Sequence, residues 1–262
     1  LIISLESYYD VIAALAKLNK VTDLPEEEMG AIAFENQNSG FEIEFKEVNF
    51  AFNDYQMILE NVNFKIAENS LNVITGSLGS GKSLLLNMMT GFYEPSSGRI
   101  LIDKIPLKNV DKISLRNQIG MFLEDMTIIK GTVYENIVLG QTHISAEQIL
   151  EISEEIGVDD FSSQFSNGFF TKISETDTEI SFSSKKKIML LRALVGERRL
   201  LILEDPLDGM DDAFKIKMRE HLSNLKENTT VIVVSEDPEM IEIADQHLHI
   251  EEGTVKILFN KN

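Results

Sequence analysis

The run Gly76-Ser77-Leu78-Gly79-Ser80-Gly81-Lys82-Ser83 constrains this chain more than any other stretch. It fits G-x-x-x-x-G-K-[ST], a turn that joins a strand to a helix and wraps a phosphate chain. Glycines let the backbone come close without a clashing Cβ and aim successive amide N–H groups at the phosphates. Such a loop works only in context, and the flanks supply it. Leu71-Asn72-Val73-Ile74-Thr75 reads as a short buried strand, and Leu84-Leu85-Leu86-Asn87-Met88-Met89 as a helix stopped at Gly91. The helix N-terminus adds the positive end of its dipole. In this pattern Lys82 supplies a point charge, and the Ser83 hydroxyl can ligate Mg²⁺. The expectation is an α/β fold that binds a nucleoside triphosphate through Gly76, Ser77, Leu78, Gly79, Ser80, Gly81, Lys82 and Ser83.

Composition narrows the partners. The chain has 262 residues, 43% of them hydrophobic, enough for one large α/β domain and additional pieces. A net charge of −19 opposes binding to nucleic acid or anionic lipid through a broad basic face. There is no cysteine, so disulfides, cysteine-ligated zinc and thiol catalysis drop out, which suits a reducing compartment. No apolar run reaches about 18 residues, the length a membrane-spanning helix needs. The chain opens at Leu1 without a leader-like segment and reads as a fragment of a longer polypeptide.

Residues 1–20 carry a partly apolar helical face through Leu5, Tyr8, Ile12, Leu15 and Leu18. Residues 21–40 read as an acidic linker, with Leu24-Pro25-Glu26-Glu27-Glu28 taken as solvated. Phe41, Ile43 and Phe45, then Val48, Phe50 and Phe52, then Val62, Phe64 and Ile66 alternate as antiparallel strands do. Ile100-Leu101-Ile102 follows a Pro95-Ser96-Ser97-Gly98 turn, and helix dominates the reading of residues 114–196. Leu200–Leu203 and Val231–Val234 are continuous apolar runs, as in a sheet buried on both faces. The tail reads as a hairpin around Glu251-Glu252-Gly253. Its His247 and His249 share one strand face without a third ligand, too little for a metal site.

Several of these segments together resemble the nucleotide-binding domain of ABC transporters, of the exporter type. The resemblance covers residues 41–262. It rests on the phosphate loop, on Gly91-Phe92-Tyr93-Glu94-Pro95-Ser96-Ser97-Gly98-Arg99-Ile100, and on Leu115-Arg116-Asn117-Gln118-Ile119-Gly120. Gly131-Thr132-Val133-Tyr134-Glu135-Asn136-Ile137 matches an exporter stretch, and Thr171, Ile173 and Glu175 fit the loop that couples the domain to transmembrane helices. The resemblance implies a P-loop NTPase sheet with an antiparallel β subdomain and a helical subdomain. It implies ATP with Mg²⁺ as cofactors, Phe52 stacked on adenine, and a cytoplasmic position at a membrane. Residues 1–40 would then be the end of a preceding transmembrane domain and its linker. The implied partners are that domain and a second nucleotide-binding domain, identical or different, with no nucleic acid.

The departures from the family pattern matter more than the matches. The glutamine that senses Mg²⁺ and the γ-phosphate aligns with Glu124. The LSGGQ-like signature aligns with Ile180-Ser181-Phe182-Ser183-Ser184, where only Ser181 survives. The acidic pair, normally Asp then Glu, is Glu204-Asp205, and the switch histidine aligns with Glu236. The resemblance thus implies Asp205 and Glu236 at the catalytic positions and Ser83, Glu204 and Glu124 around the metal. A general base must come within about 2.6–3.2 Å of its water. Asp in place of Glu withdraws the carboxylate by about 1.5 Å, one C–C bond, and a misplacement near 1 Å can cost on the order of 10²-fold. An ionised Glu236 repels a γ-phosphate that a histidine would bind. Phe182 and Ser183 put side chains where paired glycines give clearance for the ATP sandwich. Lys185-Lys186-Lys187 reads as a solvated helix face. The expected outcome is slow hydrolysis by an exporter domain; the competing reading is a regulatory or structural half without significant hydrolysis.

Overall fold

The computed structural model describes residues 2–22, 27–28, 30–35, 37–52, 57–141, 143–158, 165, 167–177 and 180–261. In chain order the elements are α1 (Ile2–Thr22), β1 (Ile43–Ala51), β2 (Met57–Ile66), β3 (Leu71–Gly76), α2 (Lys82–Met89), β4 (Ser97–Ile102), β5 (Ile105–Pro106) and α3 (Lys112–Arg116). Then come β6 (Ile119–Phe122), β7 (Gly131–Thr132), α4 (Val133–Val138), α5 (Ala146–Glu155), β8 (Lys172–Ile173) and α6 (Phe182–Leu194). The last are β9 (Leu200–Glu204), α7 (Asp212–Leu225), β10 (Thr230–Val234), α8 (Pro238–Ile243), β11 (Gln246–Glu251) and β12 (Thr254–Asn260).

A six-stranded sheet ordered β12-β11-β3-β10-β9-β6 forms the centre, parallel except for β12 at its edge. Its runs are apolar throughout because both faces are covered. Alternation persists within them. Leu71, Val73, Leu201, Leu203, Val231 and Val233 face one core with α6 and α7, whereas Ile74, Leu200, Ile202, Ile232 and Val234 face a second core with α2. That second core is closed by an antiparallel sheet ordered β2-β1-β4-β5. The fold is therefore a P-loop NTPase sheet with an antiparallel β subdomain, and the segment from α4 to the start of α6 contributes the helices α4 and α5 and the short strand β8 among its described residues.

In β1 the apolar parity switches from Phe45 to Val48, and a register shift against β2 lies between those two residues. Glu47 takes a left-handed φ of 49° there, so a β-bulge returns the even-numbered residues to the core side.

Three expectations are corrected. Ile119–Phe122, placed in helical territory, is the edge strand β6. It is short and interrupted by Gly120, which hides its period. A Cβ at Gly120 would lie 2.0 Å from the Ala193 carbonyl oxygen, so the glycine is what lets α6 lie against this strand. The acidic linker is not simply solvated. Glu27 accepts from both terminal nitrogens of Arg116, at 2.8 and 2.5 Å, and its carboxyl is held below the usual range chiefly by that guanidinium. Arg116 also donates to the Thr90 and Gly91 carbonyls at the end of α2. Leu24, Pro25 and Glu26 lie outside the described residues. The third correction, Lys186, belongs to the site. Helix α1 leaves Tyr8, Ile12 and Leu15 exposed. Among the described residues no helix is long and apolar enough to cross a membrane.

Candidate functional site: the phosphate loop and its acidic wall

Between the end of β3 and the first residue of α2 the chain makes the turn that the motif demands. Gly79 and Gly81 adopt φ of 76° and 103°, conformations that side chains rarely take. Nothing lies within 4 Å of a Cβ built on Gly79, and Leu78 beside it is fully exposed, so the loop presents bare backbone to solvent. The Ser80 hydroxyl is buried and has no hydrogen-bond partner among the described residues. Lys82 folds back over the loop, its Nζ donating to the carbonyls of Gly76 at 2.5 Å and Ser77 at 2.9 Å. A concave backbone with a cation at its rim fits a polyphosphate.

Opposite the loop, β9 delivers the acidic pair. Glu204 is buried at the strand's end. One of its oxygens accepts from the Ser83 hydroxyl at 2.5 Å and the other from the Glu124 amide at 3.2 Å. The extra methylene of a glutamate is thus accommodated by direct contact with Ser83. Among the described residues no set of three acidic or histidine side chains is arranged to hold a metal alone. A divalent ion at Ser83 and Glu204 would need phosphate oxygens and water to complete its shell, as Mg²⁺ usually does. Glu124 contributes its amide here, and its side chain is exposed.

Asp205 begins the turn after β9 at a left-handed φ of 46°. Its amide donates to the Val234 carbonyl at 2.9 Å. Burial first, and the neighbouring Glu204 second, push its carboxyl above the ordinary range, with Lys82 opposing. Glu236 follows β10 and accepts from the Gly76 amide at 3.0 Å, so its carboxylate lies against the root of the phosphate loop. One residue back, the Thr75 hydroxyl meets His247 Nε2 and His249 Nδ1, each at 2.8 Å. The histidines do share a face, and they converge on a threonine. Lys186 is the correction: within the triple lysine it is 5% exposed, and its Nζ donates to the carbonyls of Asp205 at 2.8 Å and Asp208 at 2.6 Å.

A profile of the ABC transporter family matches residues 59–208, more than half of the chain. The chain belongs to the ABC transporter family. It is 31% identical over 227 residues to YknV, an uncharacterized ABC transporter ATP-binding protein of Bacillus subtilis, covering 84% of this chain and 38% of that protein. Over 244 residues it is 30% identical to the fatty acid ABC transporter ATP-binding/permease protein of Mycobacterium bovis, covering 93% of this chain and 38% of that one. Its fold matches a bacterial Atm1-family ABC exporter with ATP bound, with a TM-score of 0.83 at 23% identity, covering 93% of this chain and 43% of that one. The chain therefore spans less than two fifths of the length of these curated relatives.

Domains of the ABC family bind ATP with Mg²⁺, and the remaining candidate residues can be placed against that activity. Phe52 lies just beyond β1, 63% exposed, edge-on to Phe50 at 5.0 Å and to Tyr93 at 5.7 Å between ring centroids. Tyr93, which sequence reasoning did not single out, props the ring from the turn after α2. Ser181 caps α6 by accepting from the Ser184 amide at 3.0 Å. Phe182 does not pack into the helix start; it stands 74% exposed. Loop, acidic pair, Glu236 and the Glu124 amide are thus drawn together around α2, whereas Ser181 and Phe182 sit at the tip of a different helix. Lys186 was missed because its neighbours are also lysines. The available signal was helical spacing: Leu190 and Ala193 follow at i+4 and i+7, and both are buried.

Proposed function

We propose that this chain is the ATP-binding domain of an ABC exporter, which couples ATP binding to transport across a membrane and hydrolyses ATP slowly. The observation that carries the reading is the Ser83–Glu204 pair at the foot of a complete phosphate loop. ATP would lie with its phosphates on the Gly76–Ser83 amides and Lys82, its base on Phe52, and Mg²⁺ at Ser83 and Glu204. Bound Mg²⁺ would neutralise phosphate charge, and the protein's own part is to orient. Asp205 is the candidate base, held by backbone contacts with a carboxylate shorter than the family's. Glu236 keeps negative charge against the loop where the family places an imidazole, which supports slow turnover and also the alternative of a regulatory half without significant hydrolysis.

In this reading residues 1–40 lead from a transmembrane domain of the same polypeptide, and the domain works at the cytoplasmic face of the membrane. The tip of α6 would close on the ATP of a second nucleotide-binding domain. The lengths of the relatives and the exposure of Phe182 support this. Phosphate release by the purified chain at saturating Mg·ATP tests the proposal. Saturable ATP binding is expected, with turnover well below the ordinary enzyme range of about 1–10³ s⁻¹. Turnover within that range would show that Asp205 and Glu236 are compensated or misassigned.

A further inference from the structure

Lys186 stands on one helix and grips another element's turn. It lies one turn into α6, four residues after Phe182, so both side chains project from the same face of the helix. Its stem is buried, and its Nζ lies 5.7 Å from the ring centroid of Phe122, the residue that ends β6 two positions before Glu124. The ammonium then spans the turn after β9, donating to the carbonyl oxygens at both of its ends, Asp205 and Asp208. The same turn is closed by the Asp208 amide, which donates to the Asp205 carbonyl at 3.3 Å. Counted around Asp205, its amide is tied to β10 through Val234, and its carbonyl is shared by Lys186 and Asp208.

Burying a lysine is costly unless its charge and donors are satisfied. Burial does push the Lys186 ammonium down, and the carboxylates of Asp208, Asp205 and Glu124 oppose that fall. A surface lysine contributing only solubility would have no reason to accept this cost. We propose that Lys186 is a positioning residue for Asp205: rooted in α6, it fixes the backbone turn that aims that carboxylate. Any shift at the exposed tip of α6, where Phe182 stands, is then transmitted through this side chain to the acidic turn. This rests on the reading of Asp205 as the candidate base, and the test separates the two claims.

Lys186→Met keeps the apolar stem and removes the ammonium with both of its hydrogen bonds. Amide exchange at Asp208, followed by NMR or mass spectrometry in the intact chain without nucleotide, should speed by about tenfold once the turn loses its clamp. Affinity for Mg·ATP, measured by calorimetry, should change less than about twofold, because the phosphate loop is untouched. Turnover, read as release of radiolabelled phosphate, should fall by about tenfold or more. In an Asp205→Ala background the same substitution should lower turnover no further, since the two residues act as one unit. Lys186→Gln, which keeps a donor on a shorter stem, should fall between wild type and Met in both exchange and turnover; it also serves if the Met variant folds poorly. Unchanged exchange at Asp208, or an equal loss of turnover in the Asp205→Ala background, overturns the proposal. If Asp205→Ala itself leaves turnover unchanged, it is the assignment of Asp205 as base that fails, and positioning is then judged by the exchange of Asp208 alone.

Discussion

The loop Gly76–Ser83 and the turn Asp205–Asp208 belong to the same site and are built by opposite means. The loop is backbone: two glycines in left-handed conformations, bare amides and one lysine at the rim. The turn is held by named contacts, the Val234 carbonyl on one side and the Lys186 ammonium on the other. Away from its glycine positions, binding through backbone tolerates drift in side chains, because every residue but proline supplies an N–H. Hydrolysis depends on where a carboxylate ends and on which group faces the γ-phosphate, and one methylene or one change of charge is enough to spoil it. On the function proposed above, this chain would keep the first kind of machinery and depart in the second. The proposal is thus that turnover is weakened while ATP binding survives.

The largest expected effect lies on the loop side. Lys82→Ala should weaken Mg·ATP binding by about 100-fold or more, since it removes charge-assisted hydrogen bonds to the phosphates. Calorimetry or a fluorescent nucleotide gives the measurement. Undiminished affinity would break the comparison at its root, because the loop would then not be the binding element.

The next effect lies on the other side and requires two sets of changes. Asp205→Glu with Glu236→His should leave turnover low in a dimer of identical chains, because each composite site would still face a partner's Phe182 and Ser183. Adding Phe182→Gly and Ser183→Gly should then raise turnover beyond the product of the separate effects, as expected for residues sharing one composite site. Full activity from the catalytic pair alone, or purely multiplicative behaviour, would show that the exposed Phe182 does not limit closure.

Much of this architecture was legible because its signals are redundant. Leu200–Leu203 and Val231–Val234 are continuous apolar runs of strand length, and both lie buried in the centre of the sheet. The phosphate loop announces itself by spacing. Even the bulge at Glu47 leaves a trace, a change of parity between Phe45 and Val48. What stayed hidden was what depends on a partner far along the chain. Strand β6 has only four residues with a glycine among them, and its identity comes from pairing with β9. Glu27 looks solvated until Arg116, 89 residues on, reaches it. Lys186 carries the most hydrophilic of labels, and only the carbonyls of Asp205 and Asp208 explain its burial. For the acidic pair the sequence showed the lengths of the side chains, but not that Glu204 would bond directly to Ser83.

The smallest effect is on stability, and its sign follows from the cause of the shift at Asp205. Burial and Glu204 raise that carboxyl above its unfolded value. Below the unfolded value it is protonated in both states, and ionisation costs the fold nothing. As pH rises through the folded value the folded state must carry a charge that its surroundings disfavour, so stability is lost across that interval and stays lost at neutral pH. Asn is tolerated at a left-handed φ and cannot ionise. Asp205→Asn should therefore raise the melting temperature at pH 7.5 by about 2 °C, the lower end of what ~1 kcal/mol does in a large domain. Near pH 4 the gain should shrink, because the raised carboxyl takes up its proton as pH falls and the disfavoured charge is removed. Differential scanning calorimetry at the two pH values measures both. A gain larger at pH 4 than at pH 7.5, or a loss at neutral pH, would mean that the ionised Asp205 is stabilised where it sits. The acidic turn would then resemble the phosphate loop in being relaxed, and the contrast between the two halves would have to be drawn at Glu236 and Phe182 alone.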